Sequence, residues 1–364
     1  RARQSDETLT ALNTAAANIE KFHRSQLRTI RKVETLPGVV CWQENRPIET
    51  VGFYVPAGSA PLPSTVLMLG IPAMLAGCSR IVLCSPPQKN GKVDALVLAA
   101  ATLVGIKEIY NVGGAQAIAA MAYGTESIPK VNKIFGPGNR YVAAAKQFVA
   151  TDPEGAAIDL LAGPSELLVI ADEYANATVV AADLLSQAEH DPDAQVALVT
   201  PSAFLAQRVQ EALAGLQKDL PRRNIIEQSL KNSFVVLTAS LDEAIRFAND
   251  YAPEHLLLNV REPESLIPQI RSAGSVFLGP YSPVTAGDYA SGTNHTLPTG
   301  GSAKWTGGIS VESFQKTVTF QSISREGLQL LAPTLTLLAA AEGLEAHKRA
   351  VAARTAIGIY ENHV

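Results

Sequence analysis

The sequence predicts an α/β protein of two related three-layer α/β/α domains with parallel sheets, carrying helical segments at its N- and C-terminal ends. Three observations predict it. Short apolar strand runs alternate with helical patterns, which implies parallel strands joined by crossover helices and covered on both faces. That alternation occurs twice, in two sets of similar size, as a duplicated domain would produce. The chain has 364 residues, 47% hydrophobic and 18% charged, so it is long enough for two or three domains and apolar enough to fill their cores.

The elements follow in order. Residues 6–31 read as one long helix, with Asp6 as N-cap and a stripe of Leu9, Leu12, Ala16 and Ile19. Short strands around VVCWQ and VGFYV come next. The first alternating set is helix 64–76, strand RIVLC, helix 93–104, strand EIYNV, helix 115–122, a strand around KIF, and helix 139–150. The second set opens at SELLVI and runs through helix 176–189, strand QVALVT, helix 202–216 and strand SFVVL. It continues with helix 241–250, strand HLLLNV, helix 263–272 and strand SVFLG. From Tyr281 to Thr317 the chain turns to Gly, Ser, Thr and Pro, which reads as functional loop. Residues 325–358 read as helix rich in Ala and Leu. The expected division is an N-terminal helix over 1–36, α/β domains over 37–163 and 164–317, and a helical tail over 318–364.

Composition excludes several function classes. The formal net charge is −4 with no long basic run, which argues against nucleic-acid and membrane-surface partners. No stretch of eighteen uninterrupted apolar residues is present to span a bilayer. The start, RARQSDETLT, has no signal-peptide apolar core and no methionine, so sequence upstream is expected to have been removed or left out. Cys41, Cys78 and Cys84 have no CxxC spacing and read as small buried hydrophobes of a reducing compartment.

Chemistry gathers at a few places. Val180, Leu184 and Gln187 lie on one helix face, and His190 follows at i+3, so Gln187 and His190 can point at one object. His255 opens a strand in YAPEHLLL, His295 lies in SGTNHTLPTG, and His347 falls in the C-terminal helix. Asp288 shares the Gly-rich loop with His295. Imidazoles and a carboxylate at element ends suit zinc, which takes roughly four N, O or S ligands. Each alone reads more readily as a structural residue than as a ligand. His23 beside Phe22 reads as half-exposed and structural, and His363 as solvated. Glu254–His255 opens an otherwise apolar strand, where an ionisable pair is costly without partners, and strand mouths are where ligands bind. Such a pair can divide general acid–base work between two proton transfers, or can simply face water at a strand edge. Neither GxGxxG nor GxxxxGK[ST] is present. Two glycine turns nonetheless follow strands: Gly113–Gly114 before a helix carrying Gln116, and Gly136-Pro-Gly138 before a helix opening at Asn139. Each offers free helix amides to a phosphate.

These motifs together resemble one family. The stretch IDLLAGPSELLVIADEYANATVVAADLLSQAEH closely resembles the signature region of the histidinol dehydrogenases. YVPAGSAPLPSTVLM, NVGGAQAIAA, FGPGN, PEHL, GDYASGTNH and AAAEGLEAHK extend the resemblance over nearly the whole chain. The resemblance implies an aldehyde-dehydrogenase-like fold in a homodimer. It implies oxidation of L-histidinol through the aldehyde to L-histidine, the last steps of histidine biosynthesis, with NAD used twice and one zinc ion per chain. Gln187, His190, Asp288 and His347 would be the metal ligands, and Glu254 and His255 the acid–base pair. Ser165, His295 and Glu342 would join the ligands and His255 in contacting substrate; Tyr54, Gln116 and Asn139 would contact NAD. His347 and Glu342 would come from the partner chain. A cytoplasmic location is implied, or the plastid stroma in a plant.

The chemistry expected is a base for the hydroxyl proton, served by His255, and water addition to the aldehyde, assisted by Glu254. No cysteine lies in the motif loops, which disfavours a thiohemiacetal route. The alternatives are a related zinc- and NAD-dependent dehydrogenase of another polar alcohol, such as a sulfonated diol, and a zinc hydrolase.

Overall fold

The computed structural model describes residues 5–57, 61–160 and 163–356. Two compact units emerge, a larger one formed by Arg1–Leu27 and Pro47–Phe314, and a smaller one formed by Arg28–Arg46 and Gln315–Val364.

The larger unit holds two five-stranded parallel sheets. The first consists of β3 (Thr50–Tyr54), β4 (Arg80–Cys84), β5 (Glu108–Tyr110), β6 (Lys133–Phe135) and β7 (Ala157–Ile158), in the order β5-β4-β3-β6-β7. The second consists of β8 (Glu166–Ala171), β9 (Gln195–Thr200), β10 (Phe234–Leu237), β11 (His255–Asn259) and β12 (Ser275–Leu278), in the order β10-β9-β8-β11-β12. The two orders are the same, with the first strand of each set at the centre and the chain reversing direction after the third. The expected duplication is thus visible in topology.

Each sheet is covered on both faces because side chains alternate along buried strands. In the first sheet Val51, Phe53, Leu83 and Phe135 enter one core with α1 (Asp6–Arg24), α2 (Pro63–Ala76) and α3 (Ala95–Leu103). Tyr54, Val82, Cys84 and Ile134 enter the other with α4 (Ala115–Tyr123) and α5 (Arg140–Thr151). In the second sheet Leu167, Val169, Leu198 and Leu257 pack on α6 (Ala177–Ala188), α7 (Ala203–Leu216) and α8 (Arg223–Ser229). Leu168, Ile170, Val199 and Leu256 pack on α9 (Leu241–Tyr251).

Several local expectations change. Helix α1 is capped by Ser5, whose side chain accepts from Thr8 N at 3.2 Å, not by Asp6. It ends at Arg24, seven residues short of the expected Arg31, because no apolar position beyond His23 is buried to reward another turn. His23, expected half-exposed, is fully buried. The helix expected over 263–272 is a 3₁₀ segment, Pro263–Gln269; Pro268 removes an amide and crowds the preceding turn. The 281–317 stretch contains a short helix, α10 (Val284–Tyr289), and its last residues already belong to a strand. Cys84 is buried, whereas Cys41 and Cys78 are only half-buried. His363 lies outside the described residues, as do residues 357–358 of the expected tail helix.

The smaller unit is built on a three-stranded sheet, β1 (Lys32–Leu36), β2 (Val39–Pro47) and β13 (Gln315–Ile323), with β1 and β2 antiparallel. Trp42 stacks on Phe320 at 5.4 Å, and the Lys32 ammonium lies 4.6 Å from the Trp42 ring centre. The C-terminal helix is broken into α11 (Arg325–Ala341) and α12 (Glu345–Thr355). Gly343 makes the break at φ +71°, a left-handed conformation that ends helices at little cost only for glycine.

Candidate active site

The amino edge of the second sheet carries a dense ionisable cluster. Glu166 and Glu254 stand at the openings of the neighbouring strands β8 and β11, where His255 pairs with Leu167. Their carboxylates are exchanged: Glu166 N donates to Glu254 Oε2 at 2.9 Å, and Glu254 N donates to Glu166 Oε2 at 3.3 Å. The second oxygen of Glu166 accepts from Gly300 N at 3.0 Å, which ties the 290–310 segment to the strand openings. Glu254 and His255 are both buried. They lie at the amino end of β11, not at the carboxyl ends that α/β sheets ordinarily present to ligands.

His255 is oriented from below and faced from above. Its Nδ1 donates to the Glu166 carbonyl at 3.0 Å, which leaves Nε2 as the basic nitrogen. Asp288 Oδ1 is 3.6 Å from that Nε2, and Glu254 Oε2 is 3.6 Å from Nδ1. Burial opposes the imidazolium, but the Glu254 and Asp288 carboxylates outweigh it and raise the His255 pKa. Burial raises the Glu254 carboxyl, an effect the neighbouring His255 charge only partly offsets. Asp288 goes the other way: burial would raise it, yet its hydrogen bond and attraction to His255 hold it low.

Asp288, on α10, is the junction to the remaining histidines. Its carbonyl accepts from His295 Nδ1 at 2.8 Å, and His295 Nε2 faces Thr65 Oγ1 at 3.3 Å. Burial is the main cause of the lowered pKa of His295, opposed by the nearby Asp288 carboxylate. His190 is close enough to perturb both Asp288 and His295. It is exposed at the end of α6, one residue beyond the helix C-cap. Gln187 sits one turn earlier, buried, with no hydrogen bond from its side-chain amide to any described residue. The amide oxygen of Gln187, the imidazole of His190 one helix turn on and the carboxylate of Asp288 within reach of His190 are donors of the kind zinc accepts, so these residues fit the metal. Among the described residues no group of three or more His, Cys, Asp or Glu forms a metal site on its own. Of the expected four, Gln187 is an amide, and His347 belongs to the smaller unit, where it is exposed on α12. Glu342, at the C-cap of α11, is exposed in the same unit.

The carboxyl edge of the first sheet holds the other expected residues. Its topological switch point lies between β3 and β6, the position where open α/β sheets ordinarily bind ligands outside the carboxyl ends of the strands. Tyr54 ends β3, and its hydroxyl accepts from Gly114 N, the N-cap of α4, at 3.1 Å. Gly136 follows β6 at φ +119°, and a Cβ there would fall 2.0 Å from the Tyr54 carbonyl. Both glycine turns therefore converge on Tyr54. The side chain of Gln116 folds back on Gly114, where a Cβ would lie 2.8 Å from its Oε1. Asn139 caps α5 through Oδ1, accepting from Tyr141 N and Val142 N at 3.1 Å each. Two helix N-termini at a switch point, with close backbone approach, fit a dinucleotide.

Ser165, half-buried, immediately precedes β8, next to Glu166, and its carbonyl accepts from Gln195 N at 3.0 Å. Sequence reasoning missed Glu166, Thr65 and the buried ion pair of Lys146 with Asp159. Glu166 carries the same signal that marked Glu254, a carboxylate opening an apolar strand. Lys146 carries the signal that marked Gln187, a polar residue on an inner helix stripe between Val142 and Val149.

The sequence profile of the histidinol dehydrogenase family matches residues 2–355. A histidinol dehydrogenase of Vibrio vulnificus is 56% identical over 344 residues, covering 94% of this chain and 79% of that protein. One of Vibrio cholerae is 55% identical over 353 residues, covering 97% and 81%. The crystal structure of histidinol dehydrogenase from Elizabethkingia anophelis superposes with a TM-score of 0.94 at 53% identity, covering 96% of this chain and 81% of that one. An acetylating aldehyde dehydrogenase from Geobacillus thermoglucosidasius shares the fold at a TM-score of 0.56 and 13% identity.

Proposed function

Since the chain belongs to the histidinol dehydrogenase family of oxidoreductases, we propose that it oxidises L-histidinol through the aldehyde to L-histidine, closing histidine biosynthesis. The observation that carries this reading is His255 Nε2, a buried base 3.6 Å from the carboxylate of Asp288, which in turn feels the charge of His190. NAD, used twice, supplies the two-electron acceptor of each oxidation, and one zinc ion per chain supplies a Lewis-acid anchor for the amine and imidazole of the substrate. Gln187, His190, Asp288 and His347 would hold the metal; Tyr54, Gln116 and Asn139 would hold NAD. Ser165, His295 and Glu342 would contact the substrate.

In the first oxidation His255 takes the hydroxyl proton at Nε2. The resulting imidazolium is held by its Nδ1–H bond to the Glu166 carbonyl and by the carboxylates of Glu254 and Asp288. The aldehyde then gains water: Glu254 accepts a proton from the attacking water while the His255 imidazolium returns its proton to the former carbonyl oxygen, which completes the hydrate and leaves His255 neutral again. The buried carboxyl of Glu254, raised by desolvation, is a stronger base than an exposed glutamate. His255 serves again when the hydrate loses its hydroxyl proton in the second oxidation. A thiohemiacetal route is disfavoured because no cysteine is among the residues of the candidate site, and burial pushes the Cys78 and Cys84 thiols up to about 11 and about 12.

We take the enzyme to be a cytoplasmic homodimer, with His347 and Glu342 supplied by the partner chain. Support for self-association comes from the smaller unit, where Leu330, Leu337, Leu338 and Leu344 are exposed on and beside α11. No helix among the described residues is long and apolar enough to cross a membrane.

The test is absorbance of NADH with L-histidinol as substrate. Two NADH per histidinol, with histidine as product, are expected. NADH formed only from other polar alcohols would indicate the sibling dehydrogenase, and ester or amide cleavage without NAD would indicate a hydrolase.

A further inference from the structure

The first sheet contains a buried ion pair that the reaction does not use. Lys146 on α5 and Asp159 after β7 are both sealed from solvent, with side chains 3% and 0% exposed. The Lys146 ammonium donates to an Asp159 carboxylate oxygen, to the Gly136 carbonyl at 3.0 Å and to the Leu160 carbonyl at 3.0 Å. All three ammonium protons are therefore used. The other Asp159 oxygen accepts from Gly136 N at 2.8 Å. Both backbone groups of Gly136 are thus held by the two halves of one ion pair.

That residue is under a double conformational demand. Gly136 has φ +119° and presses against the Tyr54 carbonyl, so the turn has no room to drift toward β3. It sets the course of Pro137 and Gly138 into the first amides of α5. Lys146 sits on the inner stripe of that same helix, two turns from its start, so the pair joins helix and turn into one rigid piece. Through the Leu160 carbonyl it also reaches the segment leading to Ser165 and β8.

We propose that Lys146 and Asp159 are positioning residues for the cofactor, preforming the Gly136 turn so that the Tyr54 and Asn139 side of the first sheet receives the dinucleotide without reordering. A buried charge pair is an expensive way to stabilise a helix, and apolar residues can replace such pairs without loss of fold. Its distinguishing product here is a fixed backbone at one glycine. The proposal rests on the reading of this sheet edge as the NAD site.

The experiment compares cofactor and substrate binding in Lys146→Met/Asp159→Leu, which removes both charges together and leaves Gly136 without partners. The zinc-loaded protein is titrated with NADH by fluorescence and with histidinol by calorimetry. The expected result is an NADH Kd raised tenfold or more, with zinc content and histidinol Kd within twofold of the parent, and KM for NAD raised more than kcat falls. An unchanged NADH Kd in the folded variant overturns the proposal. If the double variant does not fold, hydrogen exchange of the Gly136 amide in the unaltered protein without NAD decides. Slow exchange supports a preformed turn, and exchange as fast as an open loop amide overturns it. An unaltered protein that binds no NADH refutes the NAD reading itself, a distinct outcome.

Discussion

Glu166 and Glu254 hold each other by the backbone: each carboxylate accepts the other's amide, at 2.9 and 3.3 Å, across the openings of two adjacent strands. The exchange fixes Glu254 while leaving its other oxygen uncommitted. It also places the Glu166 carbonyl under His255, 3.0 Å from Nδ1. Replacing Glu166 by Ala should orphan the buried Glu254 amide, costing about 1–3 kcal/mol of stability, while the exposed Gly300 amide turns to water. Activity should fall up to roughly 100-fold as Glu254 loses its position. Steady-state kinetics with thermal unfolding checks this, and wild-type kcat in Glu166→Ala would refute the positioning role.

The two oxidations should separate genetically. His255→Ala is expected to slow both, because the same nitrogen acts in each. Glu254→Gln should chiefly slow oxidation of the aldehyde, where water must lose a proton. Each loss should be about 10²–10⁴-fold. Supplying histidinol and histidinal separately to each variant measures the split, and equal damage to both steps by Glu254→Gln counts against it.

Metal content should follow donor strength. The purified protein should hold about one zinc per chain, and a chelator should abolish activity that added zinc restores. His190→Ala should weaken zinc binding more than Gln187→Ala, since imidazole is the stronger donor. Full activity in a metal-free preparation would refute the assignment.

Asp183 gives a pH signature of stability. It is buried on α6, and burial pushes its carboxyl up to about 6 from an ordinary 3.8. Below that ordinary value the group is protonated in both folded and unfolded chains and costs the fold nothing. As pH rises through the interval to about 6, the unfolded chain ionises first and the fold loses stability, by about 2–3 kcal/mol in full. Asp183→Asn should therefore gain on the parent from pH 4 to about 6.5 and hold a constant advantage above. Melting temperatures of both proteins across that range test it; a difference independent of pH would refute it.

Sharing of the site between chains has a simple genetic test. His190→Ala and His347→Ala should each be inactive, but unfolding and refolding them together should restore part of the activity. One site of a mixed dimer would then combine an intact core with an intact tail. No recovery, with mixed dimers demonstrated, would mean that each chain completes its own site.

Local chemistry was legible along the chain because it depends on near neighbours. The alternation of apolar strands and helices specified two parallel sheets, since no other packing buries both faces of such strands. Gln187 and His190 at the end of a helix stripe, and an ionisable pair opening the strand at His255, marked positions where burial demands partners. Helix boundaries beyond the buried stripe were not legible, as α1 shows: propensity over residues 25–31 is decided by the absence of a core to pack against. Pro268 is visible in the sequence, and the missing amide it brings holds residues Pro263–Gln269 to a 3₁₀ segment.

Tertiary structure alone decided which distant residues meet. Glu166 and Glu254 are 88 residues apart, and Thr65 and His295 are 230 apart; only strand order and loop closure bring them within hydrogen-bond reach. The Lys146–Asp159 pair shows the same division. An inner-stripe lysine can be read from its spacing between Val142 and Val149, but its partners cannot. The physical reason is range. Helix and strand periodicity are set by neighbours within a few residues, whereas a buried charge is tolerated only by the particular carbonyls and carboxylate that the folded sheet delivers to it.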